Sequence, residues 1–185
     1  MSDHHGVVLA RHGQTDDNLK PIRVQGFRDT PLNDVGREQA RGLAEAVAGV
    51  GYRAIWSSDL SRASETAAIV GARIGLEPRL DPRLREANRG RWEGLLFIDI
   101  EQDEPELYGA WRRAGSGFRF PGGESLVEQQ ERVMATLDDV CAAGELPALV
   151  VCHGGSIRVV LSARDPRGLD AFHEFEVPNV GLVAL

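Results

Sequence analysis

Short apolar runs alternate along the chain with longer stretches in which apolar residues recur every three or four positions. A short apolar run without polar alternation is typical of a β-strand that is covered on both faces. Apolar residues at positions i, i+3, i+4 and i+7 are typical of an amphipathic helix. The pattern predicts a short extended piece at 77–86, strands at 7–10, 52–58, 146–152 and 177–185, and helices within 31–51, 61–75, 121–144 and 154–163.

The first predicted helix has a clear start and a clear end. Asn33 can cap its first turn through the side chain, and Gly49 or Gly51 can end it. Gly36 and Gly42 are expected to allow close packing of this helix, because they lack a Cβ atom. Its apolar stripe is predicted to consist of Leu43, Ala46, Val47 and Val50. The stripe of the next helix is predicted to consist of Ala63, Thr66, Ala67, Val70 and Ile74.

Residues 87–123 follow neither pattern, and they are expected to form an irregular lid or a wall of the substrate site. Ser125 and Glu128 then form a capping box, which is the signature of a helix start. Strands that alternate with helices predict an α/β fold, a three-layer α/β/α sandwich with a mostly parallel central sheet. Because no linker or repeat divides the sequence, residues 1–185 are predicted to form a single domain.

Two of the predicted strands end in a histidine that is followed by glycine. Arg11, His12 and Gly13 follow the first strand, and His153 and Gly154 follow the strand near position 150. In a doubly wound sheet, ligands bind in the crevice outside the carboxyl ends of the strands. Glycine lets backbone N–H groups come close to a bound anion. The sequence therefore predicts that the two histidines share one ligand site.

The two histidines could instead be metal ligands, together with Asp16 or Glu86. Arg11 and Arg62 argue against a metal, since both are expected near the same strand ends. Two unit charges about 4 Å apart interact by about 4 kcal/mol at an effective dielectric constant of about 20. Two guanidinium groups would therefore repel a cation and attract a phosphate dianion. Phosphate is the favoured ligand, and no metal ion is expected.

Composition and charge narrow the class of protein. Apolar residues make up 42% and charged residues 26% of the 185 residues, as is usual for a globular protein. The net charge of -7 gives no reason to expect binding to nucleic acid or to an anionic membrane. Cys141 and Cys152 lie in apolar stretches and are expected to be buried thiols. Without a signal-like start or a membrane-length apolar run, a cytoplasmic protein is expected, with His4 and His5 in a solvated tail.

Six segments of the sequence occur in the order and spacing of a known family. They are LARHGQTDDN, RVQGFRDTPLNDVGREQA, IWSSDLSRASETA, LREANRGRWEG, PGGES and VVCHGG. With these segments the chain resembles the histidine phosphatase superfamily, in the branch of the cofactor-dependent phosphoglycerate mutases and their monofunctional phosphatase relatives. The resemblance runs from Val7 to the last strand, and it implies a phosphoglycerate mutase-like fold.

The resemblance also implies a reaction in two steps through a phosphohistidine. His12 would attack phosphorus, and Arg11, Arg62 and His153 would hold the phosphoryl oxygens. Glu86 would protonate the leaving oxygen and then activate water, which requires a raised pKa. The positions that line the phosphate site in the family correspond to Asn18, Gln25, Gly26 and Gly154. No metal and no cofactor is implied.

A phosphatase is favoured over a mutase, because LREANRGRWEG is closer to the phosphatase pattern and the chain ends at an apparent strand. Cofactor-dependent phosphoglycerate mutase remains the alternative, since Trp111, Arg112 and Arg113 resemble a mutase segment whose arginines meet the substrate carboxylate. Arg112 and Arg113 are equally compatible with a solvated helix end. A catalytically weak, regulatory protein that binds phosphoesters is a third and less favoured interpretation.

The substrate is expected to be a small phosphorylated metabolite, such as a phosphoglycerate or its glycosylated form, a sugar phosphate, or a phosphorylated cobalamin precursor. Neither nucleic acid nor a membrane is an expected partner, and a monomer and a homodimer both fit the sequence. His173 has no motif around it and is expected to be structural or solvated. Six aromatic residues are expected to line the leaving-group side or to pack beneath the loop: Trp92, Phe97, Tyr108, Trp111, Phe118 and Phe120.

Overall fold

The computed structural model describes residues 4–113 and 115–185. Five strands form its central sheet: β1 (Val7–Arg11), β2 (Ala54–Ser57), β3 (Arg79–Leu80), β4 (Ala148–Cys152) and β5 (Leu182–Ala184). The strand order is β3-β2-β4-β1-β5. The first four strands are parallel, and β5 pairs antiparallel with β1 at the edge. The predicted, mostly parallel sheet is therefore confirmed.

Helices cover both faces of this sheet. They are α1 (Asp34–Val47), α2 (Ser61–Ile74), α3 (Phe97–Asp103), α4 (Pro105–Arg112), α5 (Leu126–Ala142) and α6 (Gly154–Arg164). Leu9 belongs to the apolar core that packs against α5 and α6, whereas its neighbour Ala10 belongs to the core that packs against α1 and α2. Alternate strand residues thus serve two separate cores. The predicted three-layer α/β/α sandwich is confirmed.

The predicted cap of α1 is present, but its predicted apolar stripe is partly wrong. The side chain of Asn33 accepts a hydrogen bond from the N–H of Gly36 (2.9 Å). Ala46 and Val50 are exposed, since Ala46 is on the outer face and Val50 lies beyond the helix. The residues that α1 buries are Gly36, Ala40, Leu43, Ala44 and Val47.

The start of α1 packs tightly against the loop that leaves β1. A Cβ atom on Gly13 would overlap the carbonyl group of Gly36, and a Cβ on Gly36 would overlap the backbone of Gln14. The packing role predicted for Gly36 is therefore present, whereas Gly42 has no atom within 4 Å of such a Cβ, so the prediction for Gly42 is wrong. This contact holds the backbone directly after His12 against the start of α1.

The expectation of an irregular segment at 87–123 is wrong in part, because the segment contains α3 and α4. Its aromatic side chains form a cluster around Trp92, which is fully buried. The ring centroids of Trp111, Phe118 and Phe120 lie 5.8–6.1 Å from the centroid of Trp92. Such ring contacts bury a large apolar area and order a segment that lacks a long amphipathic period.

The start of the described chain is attached to the fold. His4 is buried, with its Nε2 2.9 Å from Oδ1 of Asp138 on α5, so the expectation of a solvated tail is wrong for this residue. His5 is exposed. Within residues 4–113 and 115–185, no helix is long and apolar enough to cross a membrane.

Candidate active site

His12 and His153 lie side by side at the carboxyl ends of β1 and β4. These strands pair with Arg11 opposite Cys152, and the N–H of His12 donates to the carbonyl oxygen of Cys152 (3.0 Å). The centroids of the two imidazole rings are 5.2 Å apart. The two histidines therefore come together, as the positions of their strands predict.

His12 is held as a neutral imidazole with one nitrogen bonded to the backbone. The residue is 3% exposed, and its Nδ1 lies 2.6 Å from the carbonyl oxygen of Gly13. Because that oxygen can only accept, Nδ1 carries the proton and Nε2 carries the lone pair. Burial, with the positive charges of Arg62 and Arg11, lowers the pKa of His12 well below its usual value. Nε2 is therefore an unprotonated nitrogen at neutral pH.

Arg62 and Arg11 bring two guanidinium groups into the same cleft. Arg62 lies on the first turn of α2, where it donates to the carbonyl oxygens of Gly26 (2.8 Å) and Arg28 (2.9 Å). Arg11 donates to the carbonyl oxygen of Val177 (2.6 Å). In both side chains Nε is buried and has no hydrogen-bond partner among the described residues. Burial lowers the pKa of Arg62 to about 10, so it stays charged at neutral pH and suits an anionic ligand.

His153 is also neutral, and a serine orients its ring. Burial and the charge of Arg62 lower the pKa of His153 well below its usual value. Its Nε2 lies 2.8 Å from the hydroxyl oxygen of Ser58, directly after β2. Local sequence does not predict this contact, because the pairing of β2 with β4 is what brings Ser58 and His153 together.

Glu86 enters the cleft with its carboxylate surrounded by N–H donors. Oε1 accepts from the backbone N–H of Ala87 (2.9 Å) and from Nε2 of Gln129 (3.0 Å). Oε2 accepts from the backbone N–H of Gly155 (2.9 Å) at the start of α6. A Cβ on Gly155 would overlap this carboxylate, so glycine is required there for the close contact.

The pKa of Glu86 is lowered, which corrects the expectation of a raised value. Burial raises the pKa, but the charge of Arg89 and the N–H groups of Gly155 and Ala87 outweigh it, and the pKa falls to about 2. The carboxyl group of the protein without ligand is therefore ionised at neutral pH. Ala87 and Arg89 are close to Glu86 in the sequence, but only the folded chain turns them towards its carboxylate and adds the distant donors of Gly155 and Gln129.

The four residues expected around the phosphate group, Asn18, Gln25, Gly26 and Gly154, all line this cleft of about 240 Å³. Oδ1 of Asn18 accepts from the backbone N–H of Thr15 (3.0 Å), which fixes the amide at the mouth. Oε1 of Gln25 is buried without a hydrogen-bond partner among the described residues. Gly26 has a φ of +57°, a conformation that favours glycine.

Arg112 and Arg113 do not line the cleft, which corrects the expectation that they meet the substrate. Both side chains are exposed at the end of α4, as in the alternative of a solvated helix end. Arg89 and Arg158 line the cleft instead. Arg89 lies within the LREANRGRWEG segment, but spacing in a segment without regular structure does not show which side chains turn inward.

Asp16, considered as a metal ligand, is not in the cleft and accepts from the side chain of Asn33 (3.1 Å) at the surface. In the described part of the chain, no group of three or more His, Cys, Asp or Glu side chains is arranged to hold a metal ion.

The α/β sandwich and a histidine–arginine cleft at its strand ends define a class of phosphate-handling enzyme. The chain matches the family model of the histidine phosphatase superfamily (branch 1) over residues 7–185, and it belongs to this superfamily. It is 38% identical over 166 residues to the glucosyl-3-phosphoglycerate phosphatase of Mycobacterium tuberculosis, which covers 85% of this chain and 74% of that protein. It is also 38% identical over 160 residues to a probable phosphoglycerate mutase, GpmB, of Yersinia pestis. That match covers 84% of this chain and 73% of that protein.

A solved structure extends the comparison to the fold. The mycobacterial glucosyl-3-phosphoglycerate phosphatase in complex with VO3 matches with a TM-score of 0.86 and 34% identity, over 95% of this chain and 88% of that one. The family resemblance of the six sequence segments is therefore confirmed, together with the phosphoglycerate mutase-like fold. The chain is a phosphatase-class enzyme of the histidine phosphatase superfamily.

Proposed function

We propose that this protein is a phosphomonoesterase that hydrolyses a small phosphorylated metabolite through a phosphohistidine on His12. The observation that carries the proposal is the state of His12, a buried neutral imidazole whose Nδ1 is fixed by the carbonyl of Gly13. Its Nε2 is free to attack beside two guanidinium groups, Arg11 and Arg62, that have unpartnered N–H donors. This combination suits attack on a phosphate dianion.

In the first step, Nε2 of His12 forms a bond to phosphorus while the bond from phosphorus to the substrate oxygen breaks. Arg11, Arg62 and His153 contact the three non-bridging oxygens and stabilise their charge. The carboxyl group of Glu86 gives its proton to the leaving oxygen, and the alcohol is released.

In the second step, a water molecule attacks the phosphohistidine. Glu86, now a carboxylate, takes one proton from this water as the oxygen bonds to phosphorus. The bond between phosphorus and Nε2 breaks, inorganic phosphate leaves, and both His12 and Glu86 return to their starting states.

A lowered pKa of Glu86 is compatible with its role as a general acid, since the bound substrate changes its surroundings. A phosphate dianion brings two negative charges to the guanidinium groups of Arg11 and Arg62, whose charge favours the ionised form of Glu86. Neutralising them raises the pKa of Glu86 in the complex. The N–H groups that hold the carboxylate keep it in position for both steps.

We propose hydrolysis rather than mutase transfer as the main activity, because Arg112 and Arg113, the arginines that resemble the carboxylate-binding pair of a mutase, lie outside the cleft. The names of the relatives suggest two substrates to test, glucosyl-3-phosphoglycerate and phosphoglycerate. Mutase activity is checked by assaying 3-phosphoglycerate with and without 2,3-bisphosphoglycerate.

The test is a panel of phosphomonoesters ranked by kcat/KM, with p-nitrophenyl phosphate as a general probe. Rapid quenching in base should trap an alkali-stable, acid-labile phosphoenzyme, and peptide mapping should place the phosphate on His12. Retained activity in excess chelator is expected. The proposal is wrong if the wild-type protein hydrolyses none of these esters, or if the trapped phosphate is on another residue.

Gln129→Leu is expected to shift the pH dependence of turnover. The amide of Gln129, fully buried on α5, donates to the ionised form of Glu86, so its loss raises the pKa of Glu86. A hydrogen bond to a charged group contributes about 1.5–3 kcal/mol, or about one to two pH units. The alkaline fall of kcat, which reflects deprotonation of the general acid, should move to higher pH by about that amount.

The control is Gln130→Leu on the same helix, which removes a hydrogen bond to the carbonyl oxygen of Val159 (2.8 Å) and does not touch Glu86. Its alkaline limb should coincide with that of the wild type. Identical pH profiles for both variants would show that Gln129 has no influence on Glu86.

A further inference from the structure

The cleft contains more positive charge than a phosphate group needs. Among the described residues that line it, five are arginines and one, Glu86, is a carboxylate. Arg11 and Arg62 are next to His12, and Arg23 lies 3.5 Å from the carboxylate of Asp17. Two arginines, Arg89 and Arg158, remain without an assigned anion.

Arg89 is a buried cation in an aromatic cage. It is 9% exposed, and its guanidinium carbon lies 5.0, 5.8 and 5.9 Å from the ring centroids of Phe120, Trp111 and Phe97. NH1 of Arg89 is buried with no hydrogen-bond partner among the described residues. The rings stabilise the charge and hold the flat group in place, but they do not satisfy its N–H donors.

Arg158 faces the same cleft from α6. Its Nε donates to the carbonyl oxygen of Phe175 (2.9 Å), and its guanidinium packs over the ring of Phe172. Burial and the nearby charge of Arg89 lower the pKa of Arg158. In the part of the chain that is described, neither arginine is within 4 Å of a carboxylate oxygen. The negative charge of Glu86 acts on both guanidinium groups without forming a salt bridge to either, so a bound anion would be the direct partner that both lack among the described residues.

We propose that Arg89 and Arg158 form a second anion subsite, which binds a carboxylate or phosphate group on the leaving group of the substrate. The inference rests on the proposed phosphatase function and narrows its substrate class to phosphomonoesters with a second negative charge. The phosphate that is cleaved lies at His12 between Arg11 and Arg62, and the second anion lies at the aromatic side of the cleft.

The second anion also acts on the general acid. The charge of Arg89 is the strongest of the influences that keep the carboxyl group of Glu86 ionised. An anion bound to Arg89 offsets that charge, so Glu86 holds its proton more readily when the right substrate is present. The other titratable groups that act on Glu86 include Arg11 at the end of β1, His12 directly after it, Arg62 on α2, Cys152 in β4 and Arg158 on α6.

A matched pair of substrates tests the subsite. 3-Phosphoglycerate and glycerol 3-phosphate differ only in a carboxylate in place of a hydroxymethyl group, and glycerol 1,3-bisphosphate supplies a second phosphate instead. The wild type is expected to prefer a charged substrate over glycerol 3-phosphate by about tenfold or more in kcat/KM, as for a hydrogen bond to a charged group. Arg89→Met keeps an apolar stem in the cage and should bring this ratio close to one.

Arg89→Lys should restore part of the preference, and Arg158→Met should reduce it. The control is Arg91→Met, which removes an exposed arginine paired with Glu104 and should keep the wild-type ratio. An equal ratio in the wild type and Arg89→Met, or a wild-type ratio of one, overturns the subsite. Because only ratios of kcat/KM between substrates are compared, a variant that simply loses activity does not give the expected result. Failure of the phosphatase proposal itself would be recognised by the absence of any hydrolysis in the wild type.

Single-turnover release of the alcohol tests the link to Glu86. In the wild type, the alkaline limb of this rate should lie at higher pH for 3-phosphoglycerate than for glycerol 3-phosphate. In Arg89→Met the alkaline limb for glycerol 3-phosphate should move to higher pH, towards that of the charged substrate. The reason is that the positive charge that opposes protonation of Glu86 is gone. If the alkaline limb of the wild type lay at the same pH for both substrates, the proposed effect of the second anion on Glu86 would be contradicted.

Discussion

His12→Ala is expected to lower kcat for p-nitrophenyl phosphate by at least about 10⁴-fold, because it removes the atom that forms the covalent intermediate. No phosphoenzyme should be trapped in the variant. Binding of inorganic phosphate, measured by calorimetry, should stay within about tenfold of the wild type, since Arg11 and Arg62 keep their N–H donors. Loss of turnover with retained binding separates attack from recognition.

The matched control for this experiment is His5→Ala, which changes an exposed histidine near the start of the chain. It should have wild-type kcat. A His12→Ala protein that keeps more than a tenth of the wild-type kcat would exclude His12 as the nucleophile, whatever its thermal stability.

Local sequence patterns predicted the parts of this fold that depend on neighbours along the chain. The apolar runs that became β1 and β4 are fully recognisable, as are the caps of α1 and α5 at Asn33 and Ser125. Because the two strands are adjacent and parallel, the position of each histidine directly after its strand was enough to bring His12 and His153 together.

What the sequence did not predict depends on contacts between distant segments. Helices α3 and α4 are stabilised by rings packed around Trp92, so they need no long amphipathic period of their own. The inward turn of Arg89 depends on the same rings. Gln129 was missed because it occupies a buried place on α5, where the pattern alone predicts only packing. The ionised state of Glu86 follows from these same contacts.

Glu86→Gln is expected to separate the two steps of the reaction. For an alkyl phosphate such as glycerol 3-phosphate, loss of the general acid should lower kcat by about 10²–10⁴-fold. p-Nitrophenolate leaves without protonation, so the first step with p-nitrophenyl phosphate should stay fast, while hydrolysis of the phosphohistidine lacks its general base. The variant should therefore release a burst of one nitrophenolate per active site and accumulate phosphoenzyme.

The pH dependence gives an independent check on the same variant. If protonated Glu86 is the acid, the rate of alcohol release falls as pH rises through its pKa in the complex, and a glutamine, which does not titrate, removes that limb. The control is Glu131→Gln, which changes an exposed residue on α5. It should show the alkaline limb of the wild type and, like the wild type, no burst of nitrophenolate. Equal losses for alkyl and p-nitrophenyl esters without accumulated phosphoenzyme would assign Glu86 to structure, because a general acid and base must respond to the leaving group in the first step and not in the second.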